Sequence, residues 1–395
     1  MAHKTLVKQL RGATRLAVEA TRGVTDLVQT MHVTIGGGPA LLGKPLQTAA
    51  KLLTAPTYGT IKGVTRAVGA GLDLALSTLE PLIDRAGAEQ GALLAALNGV
   101  MGDYLAQTGN PLAIEMRLCG GDRQALDLAP QALATRFLEG SRLLVLLHGS
   151  SMDEGAWSRT GLDYGSALAE ERGLVPLYLR YNSGLHVSQN GRALAALLER
   201  LVAAWPRPVE ELVLLGHSMG GLVARSACLV GEAEGHAWRR SLRTLVTMGT
   251  PHHGAPLERA GHLVDLLLGV SRYSAPFAVL GKLRSAGVTD LRYGYVIDEH
   301  WEGRDRFGRG GDPRGALSLP AGVDCYAIAG TRAKVAAGSL PGDGMVPVAS
   351  ALGRHKDPAL TLEFSESRRW IALGTGHIDL LGSEAVCAQL RAWLG

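Results

Sequence analysis

Aromatic residues are scarce in this sequence, 5% of its 395 positions, and cysteine is scarcer still, with four. Cys119, Cys228, Cys325 and Cys387 form no CxxC pair and have no histidine at metal-ligand spacing, so no disulfide framework and no metal site are expected. That cysteine usage fits a reducing compartment, and a cytoplasmic location is expected. No window approaches the ~20 uninterrupted apolar residues that a membrane-spanning helix needs. Met1 to Lys8 runs into Arg11 and Arg15 before any apolar stretch of signal-peptide length, so a secretory signal is not expected. If the chain meets a membrane, it lies on it.

Acid is the other shortage. From Leu27 to Leu72 there is no Asp or Glu, while Lys44, Lys51, Lys62 and Arg66 punctuate small and apolar residues. Residues 1–100 hold ten Lys/Arg against six Asp/Glu, so the whole net charge of +4 sits in the N-terminal quarter. The same stretch has Tyr58 as its one aromatic, which removes the stacking platforms a nucleic-acid partner would use. Leu6, Leu10, Ala13, Ala17, Ala20, Val24, Leu27 and Met31 recur at spacings of four and three, the stripe of an amphipathic helix. A second helical stretch follows Pro56 and a third lies around Leu93 to Leu105. Residues 1–108 therefore read as an N-terminal helical region, either an arm packed on its own protein or a peripheral contact with lipid headgroups.

What is abundant is apolar material, 46% of the chain, enough for a large core. After Asn110-Pro111 the texture changes. Ile114–Leu118 and Ala125–Leu128 read as a strand pair around a Gly-containing turn. Short apolar runs then alternate with helical patterns: strands at 142–147, 174–179, 212–215, 242–248, 324–329 and 368–373, helices clearest at 191–205, 219–228 and 384–394. This alternation predicts an α/β domain over 109–395 with a mostly parallel sheet covered on both faces.

The sharpest local signal is Gly216-His217-Ser218-Met219-Gly220-Gly221, a G-x-S-x-G directly after a strand and opening a helix. A serine on that sharp turn is lifted into the open at the strand's C-terminal end, with the new helix pointing its first amides at the same spot. A serine is a poor nucleophile without a base. Asp343, in Pro341-Gly342-Asp343-Gly344, and His377, in Gly374-Thr375-Gly376-His377, follow it in the chain order Ser, acid, His, each after a predicted strand. His377 is expected to take the proton of Ser218, and Asp343 to fix the imidazole tautomer. The oxyanion of a tetrahedral intermediate needs amide donors. One is expected from Met219 and the second from the loop Leu147-His148-Gly149-Ser150-Ser151, at Ser150 with Ser151 as fallback. Asp312, Asp324 and Asp379 also follow Ser218, and of these only Asp312 competes for the acid's place. His148, and His252 and His253 in Gly249-Thr250-Pro251-His252-His253-Gly254, read as braces.

Taken together these motifs and Asp343-Gly344-Met345-Val346-Pro347 resemble the lipase/esterase branch of the α/β-hydrolases, and within it the bacterial relatives of the PGAP1-like and triacylglycerol-lipase-like group. The resemblance covers residues 110–395. It implies an α/β-hydrolase fold with an acyl-binding cap inserted at about 255–320, whose first half, Leu257 to Leu283, is apolar and helical. The implied activity is that of a serine esterase or lipase acting on an ester or acyl-lipid. An acyltransferase or thioesterase would use the same triad, and a non-catalytic lipid-binding protein could keep the fold. No cofactor is expected, since Gly216 to Gly221 has the nucleophile spacing and not G-x-G-x-x-G, and Gly36-Gly37-Gly38 follows no strand.

Overall fold

The computed structural model describes residues 88–255, 285–305 and 311–394, apart from 159, 337 and 339. The helices expected over 6–31 and after Pro56, and the apolar half of the expected cap at 257–283, lie outside the described residues.

One seven-stranded sheet organises the rest, in the order β1-β3-β2-β4-β5-β6-β7. The strands are β1 (Arg117–Cys119), β2 (Arg142–Leu147), β3 (Val175–Arg180), β4 (Glu211–His217), β5 (Leu242–Met248), β6 (Asp324–Gly330) and β7 (Arg369–Ala372). The edge strand β1 runs antiparallel to β3, and every other pairing is parallel. The six parallel strands coincide with the apolar runs to within a residue or two at either end. The strand pair expected at 114–128 is smaller: β1 keeps three residues, and only the bridge Cys119↔Ala125 remains of its partner. The reason is local, since the Asp127 carboxylate accepts the Ala129 amide at 2.9 Å and turns the chain into the helix that begins at Pro130.

Strand residues alternate between two cores, which explains why the strands read as unbroken apolar runs. In β2, Leu143, Val145 and Leu147 face one cluster and Leu144 and Leu146 the other; in β4, Leu212 and Leu214 are divided in the same way from Val213 and Leu215. The first cluster is closed by Leu194, Leu198 and Leu201 of the helix Val187–Ala204 and by Leu222 and Val223 of Met219–Ala233. The second is closed by Tyr164 and Leu168 of Tyr164–Arg172 and by Val386 and Leu390 of Glu384–Trp393.

The helix Ala88–Gln107, here α1, kinks at Met101. Residues 88–108, grouped by sequence with the N-terminal helical region, form one compact unit with residues 113–395. Polar contacts fasten α1 to that body: Asn182 Nδ2 donates to the Gly102 carbonyl at 2.9 Å, Ser285 Oγ to the Gly99 carbonyl at 2.6 Å, and the Ala286 amide to Asp103 Oδ2 at 2.9 Å. The described end of the expected cap is a short helix, Ala286–Asp290, followed by a single 3-10 turn at Asp298–His300.

Candidate active site

Ser218 stands on the turn between β4 and the helix Met219–Ala233, with φ 54° and ψ −123°. A non-glycine residue at positive φ is held there by its surroundings. The neighbours at two residues' distance must be small. A Cβ on Gly216 would lie 2.5 Å from the Gly221 nitrogen, and one on Gly220 would lie 2.3 Å from the Leu147 carbonyl oxygen. The Ser218 amide donates to the Met248 carbonyl at 2.8 Å, tying the turn to the end of β5.

The loops after β6 and β7 extend the sheet edge as a pair. The Thr331 amide bonds to the Ala372 carbonyl at 3.0 Å and Thr375 to Thr331 at 2.8 Å, and the His377 amide reaches the Asp343 carbonyl at 3.1 Å. This zipper brings the two side chains together, with His377 Nδ1 2.7 Å from Asp343 Oδ2 and both residues buried. The second carboxylate oxygen accepts the amides of Met345 at 2.9 Å and Val346 at 2.8 Å. Burial alone would raise the Asp343 pKa; the His377 charge and hydrogen bond, with the two amides, outweigh it and hold the carboxyl below its ordinary range. His377 Nε2 is buried and has no hydrogen-bond partner among the described residues.

His217, inside the serine motif but given no role from sequence, links the two halves. Its Nε2 lies 3.0 Å from the His377 carbonyl oxygen, and the rings sit 4.9 Å apart. Burial, reinforced by His377, pushes its pKa down to about 3, so it is neutral and donates Nε2–H to that carbonyl. The signal available in the sequence was position alone: a polar residue between an apolar strand and the serine turn.

The loop after β2 lies against the serine. A Cβ on Gly149 would be 3.1 Å from Ser218 Cβ. Ser150 is buried, and its amide has no partner among the described residues. The fallback donor is committed elsewhere, because the Ser151 amide donates to Ser183 Oγ at 2.9 Å. Met219 supplies the first amide of its helix, which has no intrahelical acceptor.

The other candidates have different employment. Asp312 receives Arg314 at 2.7 Å, Asp324 pairs with Arg368 at 2.6 Å, and Asp379 accepts the Gly376 amide at 3.0 Å. His148 contacts the Gly149 carbonyl at 2.8 Å and stacks on Tyr181, whose hydroxyl returns to the His148 carbonyl. His252 sits between Thr247 Oγ1 at 3.2 Å and Arg225 Nη1 at 3.3 Å, and His253 Nε2 reaches the Gly353 carbonyl at 3.0 Å. A groove of about 620 Å³ at the β1 edge, lined by Met116, Leu118, Leu128 and Leu197, includes none of Ser218, Asp343 and His377.

The parallel order of β3-β2-β4-β5-β6-β7, helices on both faces and a left-handed serine after β4 decide the architecture. The fold is the α/β-hydrolase fold. Comparison with known proteins agrees with it: residues 185–307 match the family model described as the PGAP1-like alpha/beta domain. A stretch of 71 residues is 38% identical to a GPI inositol-deacylase of Schizosaccharomyces pombe, covering 18% of this chain and 6% of that protein, so the match spans a small fraction of the relative's length. Among solved structures, the mature lipase BlEst2 of Bacillus licheniformis aligns over 64% of this chain and 91% of its own at 17% identity and a TM-score of 0.42. The esterase Pf2001 of Pyrococcus furiosus aligns over 71% and 90%, at 13% identity and a TM-score of 0.38.

Proposed function

We propose that this α/β-hydrolase chain cleaves carboxylic esters by nucleophilic catalysis at Ser218. The observation that carries the reading is the buried His377–Asp343 pair, with Nδ1 engaged at 2.7 Å and Nε2 without a partner among the described residues, at the sheet edge where Ser218 follows β4. His377 Nε2 takes the hydroxyl proton as Ser218 Oγ attacks the ester carbonyl carbon, and the carbonyl electron pair moves onto oxygen. The amides of Met219 and Ser150 receive that oxyanion. Collapse breaks the bond to the alcohol oxygen, which leaves with the proton from His377. Water, deprotonated by the same nitrogen, then releases the acid from the acyl-serine. Asp343 stays charged throughout and stabilises the imidazolium.

An acyl ester as substrate is supported by the matched stretch of the inositol-deacylase relative. Hydrolysis of p-nitrophenyl esters from acetate to palmitate tests the reading, with Ser218→Ala as the blank. Loss of kcat by about 10⁴- to 10⁶-fold in the variant is expected; wild-type rates in Ser218→Ala would refute it. The reading extends to peripheral lipid contact through residues 1–108, supported by the basic, acid-free run from Leu27 to Leu72. No described helix is long and apolar enough to cross a membrane. The full chain is expected to co-sediment with anionic vesicles, and its Lys44→Glu, Lys51→Glu, Lys62→Glu variant to remain in the supernatant.

A further inference from the structure

The loop after β2 carries two consecutive amides, those of Ser150 and Ser151, and among the described residues only that of Ser150 is without a partner. We propose that Ser183 is a positioning residue of the oxyanion site: its hydroxyl and Gly99 of α1 together clamp Ser151, and so aim the Ser150 amide at the substrate oxygen. The inference rests on the esterase reading above and names the part of the fold that makes it work.

The clamp is built from ordinary contacts. Ser183 is 1% exposed, and its Oγ accepts the Ser151 N–H at 2.9 Å. Ser151 is held at φ 60°, a left-handed conformation that a residue with a side chain seldom takes unless neighbours fix it. α1 also stands against it, so close that a Cβ on Gly99 would fall 1.9 Å from Ser151 Oγ and 2.8 Å from Ser151 Cα. The jaws are themselves anchored. Asn182, the residue before Ser183, donates Nδ2 to the Gly102 carbonyl at 2.9 Å, accepts the Gly184 amide at 3.0 Å on its side chain, and accepts Asn190 Nδ2 at 2.9 Å on its carbonyl. The Gly99 carbonyl is fixed by Ser285 Oγ at 2.6 Å.

The plane that carries the Ser151 N–H meets the plane of the Ser150 N–H at the Ser150 Cα, so anchoring the first leaves φ and ψ of Ser150 as the two soft dihedrals that set the direction of the second. Without the hydroxyl of Ser183 the Ser151 N–H is released, the left-handed turn loses its lock, and the Ser150 donor drifts from the position the oxyanion will occupy. A donor of this kind acts on charge that develops only in the transition state, so its displacement lowers kcat and leaves ground-state binding nearly untouched.

The experiment is ester hydrolysis by the full chain carrying Ser183→Ala, Ser183→Thr or Gly99→Ala, with thermal unfolding measured on each. Ser183→Ala is expected to lower kcat by about 10- to 100-fold with KM within about twofold of wild type. Ser183→Thr, which returns the hydroxyl, is expected to recover most of that loss, and Gly99→Ala to lose kcat through the other arm of the clamp. A folded Ser183→Ala protein with wild-type kcat, or with a raised KM at unchanged kcat, overturns the proposal. Ser218→Ala separates the two levels of inference: if it is inactive while Ser183→Ala is unimpaired, only the clamp is wrong, and if it is active, the esterase reading itself has failed.

Discussion

Among the described residues, two histidine–aspartate pairs of nearly equal geometry have opposite electrostatics. In one, His377 Nδ1 lies 2.7 Å from Asp343; in the other, His186 Nδ1 lies 2.9 Å from Asp290. Both carboxylates are 1% exposed. Asp343 receives two backbone amides besides its histidine and is held below the ordinary carboxylate range. Asp290 receives one, from Val187 at 2.8 Å, and burial wins over it and over His186, raising the carboxyl. The His186 ring is stacked on Trp301 at 3.7 Å, where it joins the segment at 286–301 to the start of the helix Val187–Ala204. A His–Asp contact therefore does not identify a base. What distinguishes the pair with His377 is a carboxylate that accepts additional amides, and its place on the edge that carries Ser218.

The sharpest way to break this contrast is to neutralise each acid in turn. Asp343→Asn is expected to lower kcat by about 10³- to 10⁴-fold, because the amide cannot hold the same tautomer or stabilise the imidazolium. Asp290→Asn in the same ester assay is expected to stay within about threefold of wild type; a loss comparable to that of Asp343→Asn would make the second pair part of the machinery. Smaller effects belong to stability. Urea unfolding should show Asp290→Asn destabilised by about 1–3 kcal/mol, the cost of disturbing a buried hydrogen-bonded group.

The pH dependence of those costs should differ in sign. Asp343 has a depressed pKa in the folded state, so its stabilisation is complete above the ordinary carboxylate value of about 4 and is lost as pH falls through the folded value. The cost of Asp343→Asn should shrink on acidification. Asp290 has a raised pKa, so folding disfavours its charged form at neutral pH and that penalty vanishes in acid. The cost of Asp290→Asn should grow as pH falls. Unfolding curves for both variants and the wild type between about pH 2 and 7 check this, and parallel trends would show that the two environments are not opposed.

Much of the architecture was legible because it is written locally. The parallel strands are apolar runs since both faces are buried, and the serine turn is marked by glycines that backbone contact at Gly216 and Gly220 demands. The candidate acid and base follow from chain order after successive strands. The connections between these parts left no such trace. His217 to the His377 carbonyl, Ser151 to Ser183 and His186 to Asp290 are pairings of ordinary polar residues across long separations, with no periodicity to announce them. The same holds for the placement of α1: residues 88–107 share the helical texture of the sequence before them, and only the close approach of Gly99 and Gly102 to the loops of the sheet shows which body they join.

The hydrogen bond between His217 and His377 spans 160 residues. At the usual pace of translation, that interval separates the emergence of the serine turn from that of its base by roughly 10–30 s. On the proposed mechanism, the nascent chain during that time carries a nucleophile with nothing to activate it. Such a mechanism would keep the chain silent while it is being made, and supply its chemistry only when the last strand of the sheet docks.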